Sequence, residues 1–159
     1  MATEHERYYE DLNVGDEFVS PARTITEADI VAFAGISGDF NPLHTDEERA
    51  RTTMFGARIA HGLLGVAIAS GLASHIKELH DDKFVAFLGL KWDFKKPVFI
   101  GDTLRLVETV AQKRETKRPD AGLVIFNMAL LNQHDDRVHH GEFKLLLKKR
   151  PTGLYRGAN

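Results

Sequence analysis

The sequence contains no cysteine. Disulfides, thiolate nucleophiles and cysteine-ligated metal sites are therefore excluded, and a reducing compartment is compatible with the chain. An excess of charge of either sign is missing as well. Lys and Arg number 21 against 23 Asp and Glu, for a formal net charge of −2. That balance gives no reason to expect nucleic acid or an anionic membrane as partner. Long hydrophobic runs are absent. The least polar stretch, Ile59–Ser74, is interrupted by His61, Ser70 and three glycines, and it falls short of the ~20 residues a membrane span needs. The opening residues, MATEHERYYEDL, are charged and have no apolar centre. They do not read as a secretory signal, and a cytoplasmic location is expected.

Several motifs are lacking too. His5 heads HERYY rather than HExxH, and Ser70 lies in AIASGLA rather than GxSxG. No phosphate-cradling loop or dinucleotide fingerprint occurs. His80-Asp81-Asp82 and His134-Asp135-Asp136 read as charged turns. His139 and His140 are neighbours in a strand, so their rings point to opposite faces. No metal is expected.

What remains is a chain of 159 residues, 43% hydrophobic and 28% charged. That suits one domain over 1–159, with a core from about 9 to 149. At this length folding buries roughly 70% of the unfolded chain's surface. Tyr8, Tyr9 and Leu12 are expected to pack on the domain, ahead of a strand at Glu17–Pro21. Thr26 and Asp29 have capping-box spacing. They start a helix with Ile30, Phe33 and Ala34 on one face, ended by Gly35 and Gly38. From Gly62 to about Leu79 the pattern is apolar nearly all round, which predicts a long buried helix. After Asp81-Asp82 the period becomes two. Phe84, Ala86, Leu88, Leu90, Trp92 and Phe94 define one strand face, and Pro97 ends the strand. Further strands are predicted at Thr103–Arg114, Leu123–Leu131 and Val138–Lys149. Short turns join them, which favours an antiparallel meander.

The stretch between the two helices, GDFNPLHTDEERARTTMFGARIAHG over Gly38–Gly62, carries the chemistry. Asp39 and His44 bracket Phe40-Asn41-Pro42-Leu43. Pro42 fixes its own φ and pushes Asn41 out of the helical region, so this segment is expected to be a rigid loop. Thr45 and Glu48 suggest a capping box for a short helix near Glu47. A carboxylate and an imidazole brought together by such a loop can hold one water. The N–H of Gly62, at a helix start, can polarise a carbonyl. Asn41 is placed to brace the loop, and His61 to position the turn before the glycine.

DFNPLH followed by FGARIAHG resembles the hydratase motif of the MaoC-like, (R)-specific enoyl-CoA hydratases. The likeness continues through the apolar helix and WDFKKPVFIGDTL and covers about Tyr9 to Lys149. It implies an α+β hot-dog fold, in which a curved antiparallel sheet wraps a long central helix. It also implies a homodimer joined sheet edge to sheet edge, with sites between subunits. The implied reaction is reversible hydration of a trans-2-enoyl-CoA to an (R)-3-hydroxyacyl-CoA, without a cofactor. Acyl-carrier protein could stand in for coenzyme A. Asp39 and His44 would hold and activate water, and the Gly62 N–H would bind the thioester oxygen. Ser70 would support the catalytic pair or shape the acyl pocket. Arg58, Lys91, Lys95 and Lys96 could meet coenzyme A phosphates or simply face solvent. Three alternatives stay open: dehydration of a branched or carboxylated 3-hydroxyacyl thioester, a hot-dog thioesterase, and a non-catalytic acyl-CoA-binding module.

Overall fold

The computed structural model describes residues 7–80 and 82–151. The expectations placed on His5 and Asp81 lie outside those residues. A 3-10 turn at Tyr9–Asp11 leads to strands β1 (Glu17–Val19) and β2 (Arg23–Thr24). Helices α1 (Glu27–Ser37), α2 (Pro42–Thr45), α3 (Glu47–Arg51), α4 (Gly62–Ser74) and α5 (Lys77–His80) follow. Four long strands complete the chain: β3 (Phe84–Phe94), β4 (Thr103–Arg114), β5 (Ala121–Leu131) and β6 (Arg137–Lys148).

The sheet is antiparallel, in the order β1-β4-β5-β6-β3, with β2 also on β4. It wraps α4, giving the hot-dog architecture expected from sequence. The simple meander is corrected, however. β4, β5 and β6 do follow one another, but β3 pairs with β6 and forms the far edge. The chain between β3 and β4 must therefore cross the sheet. That crossover carries Val98, which is buried, and Phe99, which bridges to Ile59. Turn chemistry reports only which strands are joined; which strands pair depends on side chains far apart in sequence.

The core is formed by Leu64, Ile68 and Leu72 of α4 against Leu104, Leu106, Phe126 and Leu130 of the sheet. At about 25 cal/mol per Å² of apolar surface, this burial is the main force holding sheet to helix. Tyr9 and Leu12 are buried as expected. The Tyr9 ring takes the space beside Gly122, where a Cβ would stand 2.4 Å from it.

Two helix expectations are corrected. α4 stops at Ser74 instead of Leu79. The Ser74 hydroxyl and a His75 ring nitrogen both bond the Gly71 carbonyl, at 2.7 Å each. Side chains that take a helix carbonyl compete with the next backbone turn. Nor is α4 buried all round, for Leu63, Ala67, Ser70 and Ser74 face outward. In α1, Gly38 alone makes the C-terminal cap, with φ 76°, while Gly35 sits inside the helix. The Thr26–Asp29 capping box is present, with the Asp29 carboxylate accepting the Thr26 N–H at 2.8 Å.

β3 also departs from strict alternation. Register shifts fall between Phe84 and Ala86 and between Phe87 and Gly89. Each bulge adds a residue and moves the inward set by one place. Phe84, Phe87 and Leu90 therefore share one lining, and Leu88 turns outward. β3 pairs along its whole length because Gly141 lets it approach β6 closely. A Cβ at Gly141 would stand 2.2 Å from the Lys91 carbonyl oxygen and 2.5 Å from Trp92.

Gly141→Ala should thus lower the urea midpoint, at a cost of about 1–3 kcal/mol. Gly35→Ala is the control. Among the described residues nothing outside its own helix lies within 4 Å of the new Cβ, and helix propensity favours it by up to about 1 kcal/mol.

Candidate active site

Asp39, the residue after the α1 cap, is exposed. Its N–H donates to the Ser37 hydroxyl at 3.2 Å, and its carboxylate accepts the Asn41 N–H at 3.2 Å. Asn41 caps α2, its side-chain oxygen accepting the Leu43 N–H at 2.9 Å. The rigid loop expected up to His44 is thus corrected, since Pro42 opens a short helix. Proline suits that first helical position: its φ is already right, and its missing N–H would have had no acceptor there. The Thr45–Glu48 capping box is corrected as well. Asp46 caps α3 by accepting the Arg49 N–H at 2.9 Å, while the Thr45 hydroxyl bonds the Phe40 and Asn41 carbonyls.

His44 is largely buried, and its Nδ1 lies 2.8 Å from the Ile59 carbonyl. A carbonyl only accepts, so Nδ1 carries the proton and Nε2 of the neutral ring is left as an acceptor. Ile59 is itself held. Its N–H donates to the Leu43 carbonyl at 3.4 Å, and the Ala60 N–H donates to Val98 of the crossover at 2.8 Å. His61 stacks on His44 with centroids 3.8 Å apart and places Nε2 at 2.9 Å from the Asp39 carbonyl. His61 thus contacts both of the other two, beyond the turn before Gly62 that it was expected to position. Asp39, His44 and His61 each present a potential ligand atom within 4.8 Å of the other two. That spacing could accommodate a small cation or a single water.

Gly62 is the first residue of α4, so its N–H has no acceptor within the helix. It and His44 line one cavity of about 500 Å³ with Leu63, Phe94, Lys95 and His139. The glycine is needed for a reason the sequence did not suggest. A Cβ there would stand 2.8 Å from the Phe94 ring. Ser70 is not in this cavity. It lines a second one of about 520 Å³, apolar and sharing Leu63, with Val66, Ala73, Phe84, Phe87 and Leu90.

The structure gives Arg58 a different place from the one expected. Its guanidinium bonds Glu27 at 2.8 Å and Glu47 at 2.9 Å, tying α1 to α3. Those bonds to carboxylates raise its already high pKa. Lys96 is paired with Asp136 and Lys91 with Glu142. His139 was missed as a site residue. It is buried in the cavity wall, and desolvation pushes its pKa down to about 4. Its only trace in the sequence is a glycine, Gly65, on an element far from it along the chain.

Comparison with known proteins now bears on this geometry. The MaoC-like domain family matches residues 11–125, across the whole Asp39–Gly62 segment and α4. The chain belongs to the MaoC-like dehydratase family. An (R)-specific enoyl-CoA hydratase from Rhodospirillum rubrum is 40% identical over 103 residues, 65% of this chain and 69% of that protein. A solved MaoC-like dehydratase from the same organism has a TM-score of 0.81 at 32% identity, covering 91% of this chain and 99% of its own. A protein from Archaeoglobus fulgius described as a monoamine oxidase regulatory protein has a TM-score of 0.83 at 35% identity, covering 92% and 99%. Among the described residues no helix is long and apolar enough to cross a membrane.

If Arg58 is a strut, Arg58→Ala should lower stability by about 1 kcal/mol in urea melts, the partly exposed pairs being screened. KM for a coenzyme A thioester should stay within about twofold of wild type.

Proposed function

We propose that this chain is a cofactor-free hydro-lyase that adds water to a trans-2-enoyl-CoA to give an (R)-3-hydroxyacyl-CoA, and catalyses the reverse reaction. The observation that carries the reading is the paired acceptor. His44 commits Nδ1–H to Ile59, so its Nε2 lone pair is available to a water that the Asp39 carboxylate also faces. The thioester carbonyl makes C3 electrophilic. As the water oxygen bonds to C3, its proton passes to the Asp39–His44 pair, and charge moves onto the thioester oxygen. The Gly62 N–H, at the positive end of α4, stabilises that charge. A proton from the pair then reaches C2 and completes the addition. His61 keeps Asp39 and His44 in place, and Asn41 caps the helix that carries His44.

The apolar cavity beside Ser70 suits the acyl chain, since it joins the catalytic cavity at Leu63. Lys95, at the catalytic cavity, suits the phosphates of coenzyme A or of an acyl-carrier prosthetic group. The names carried by the hydratase relatives point to the same substrate class. A reducing cytoplasm suits the cysteine-free chain. We further propose a homodimer joined through β3. This edge strand leaves Phe84 40% and Leu88 53% exposed, with Phe87, Leu90 and Phe94 alongside. An apolar edge of that length invites pairing. Size measurement in solution should give twice the chain mass; a stable monomer would count against the edge pairing.

With crotonyl-CoA, the conjugated enoyl-thioester absorbance should fall without release of thiol, giving the (R) product. Asp39→Asn should stay folded and lose about 10²–10⁴-fold in kcat. Near-normal turnover in that variant would refute the assignment. Thiol release would favour a thioesterase, and binding without turnover a non-catalytic module.

A further inference from the structure

His139 has no part in the scheme above, yet it sits where the substrate head would lie. It comes from β6, is 3% exposed and lines the cavity of His44 and Gly62. Its ring fills the space left by Gly65. A Cβ on that glycine would stand 2.2 Å from the His139 Cε1 and 2.6 Å from its Nδ1. Helix Cβ positions lean toward the N-terminus. The imidazole therefore lies over the first turn of α4, on the cavity that Gly62 also lines. Phe94 meets the ring edge-on at 5.0 Å and Trp92 at 6.2 Å, so its orientation is held.

Nδ1 of His139 is buried without a hydrogen-bond partner among the described residues. An apolar side chain would fill the gap beside Gly65 without leaving a polar atom unpaired. Burial keeps the ring neutral at physiological pH. Nδ1 faces the first turn of α4, whose positive end favours a lone pair there over an N–H. That arrangement puts the ring's one proton on Nε2, the nitrogen further from the helix, at 3.4 Å from the Gly65 Cβ position.

We propose that His139 is a second donor to the thioester oxygen, a neutral imidazole whose Nε2–H points into the cavity that Gly62 also lines. This deepens the hydratase reading and rests on it. No proton leaves the ring and no bond forms to it. The N–H meets the charge that develops on the oxygen as water bonds to C3, the role a neutral histidine is suited to when its site keeps it uncharged.

Three measurements test this together. His139→Phe fills the same space without a donor, and His139→Gln restores an N–H. With crotonyl-CoA, His139→Phe should lose about 10²-fold in kcat, with KM and melting temperature little changed. His139→Gln should regain at least tenfold of that loss. A folded His139→Phe within threefold of wild-type kcat, or equal losses in the two variants, would overturn the proposal. The wild-type chain is also titrated with butyryl-CoA, a saturated thioester that cannot be hydrated, while imidazole ¹⁵N signals are followed. A shift of the His139 Nε2 signal on binding is expected. Binding that leaves that signal unmoved overturns the proposal alone, whereas no binding overturns it together with the hydratase reading.

Discussion

The site depends on one hydrogen bond, from His44 Nδ1 to the Ile59 carbonyl. It joins the short helix α2 to the segment that enters α4, and it decides which nitrogen of His44 is free. Ile59 can serve as that anchor because the β3–β4 crossover holds it, through the Phe99 bridge and the Ala60–Val98 bond. The crossover exists because β3 lies at the opposite edge of the sheet from β1. The tautomer of one histidine is thus tied to the strand order of the whole sheet.

The stack of His61 on His44 extends this constraint to Asp39. His61 precedes α4, so its position is set by the same helix start that frees the Gly62 N–H. It bonds the Asp39 backbone rather than the carboxylate. The carboxylate is held instead by the Asn41 N–H, with an oxygen left for other contacts. The buried ring bears the structural contact, and the exposed acid keeps a carboxylate oxygen open to the cavity side.

Missing side chains matter as much as those present. Gly62 and Gly65 strip the first turn of α4 on the side facing β3 and β6, and Phe94 and His139 occupy the vacated space. Gly141 does the same between strands by letting β3 close on β6. In each case a glycine is required by a close approach, not by its backbone angle. A side chain at any of the three would displace a neighbour that lines or supports the cavity.

The sequence by itself determined what is local. Asp39, His44 and Gly62 lie within one short stretch, so their motif is legible without a fold, as are the Thr26–Asp29 cap and the turn-bounded strands β4, β5 and β6. It misled where local rules compete. Pro42 reads equally as a helix breaker and as a first helical residue, and Ser74 and His75 end a helix whose apolar pattern continues. Only the tertiary structure decided the strand order, the bulges of β3, the use of Arg58 as a strut between α1 and α3, the separation of Ser70 from the cavity of His44 and Gly62, and the meeting of His139 with Gly65. These rest on contacts between residues far apart along the chain. Their partners are chosen by packing volume and by the cost of unpaired polar groups, quantities that no single stretch of sequence carries.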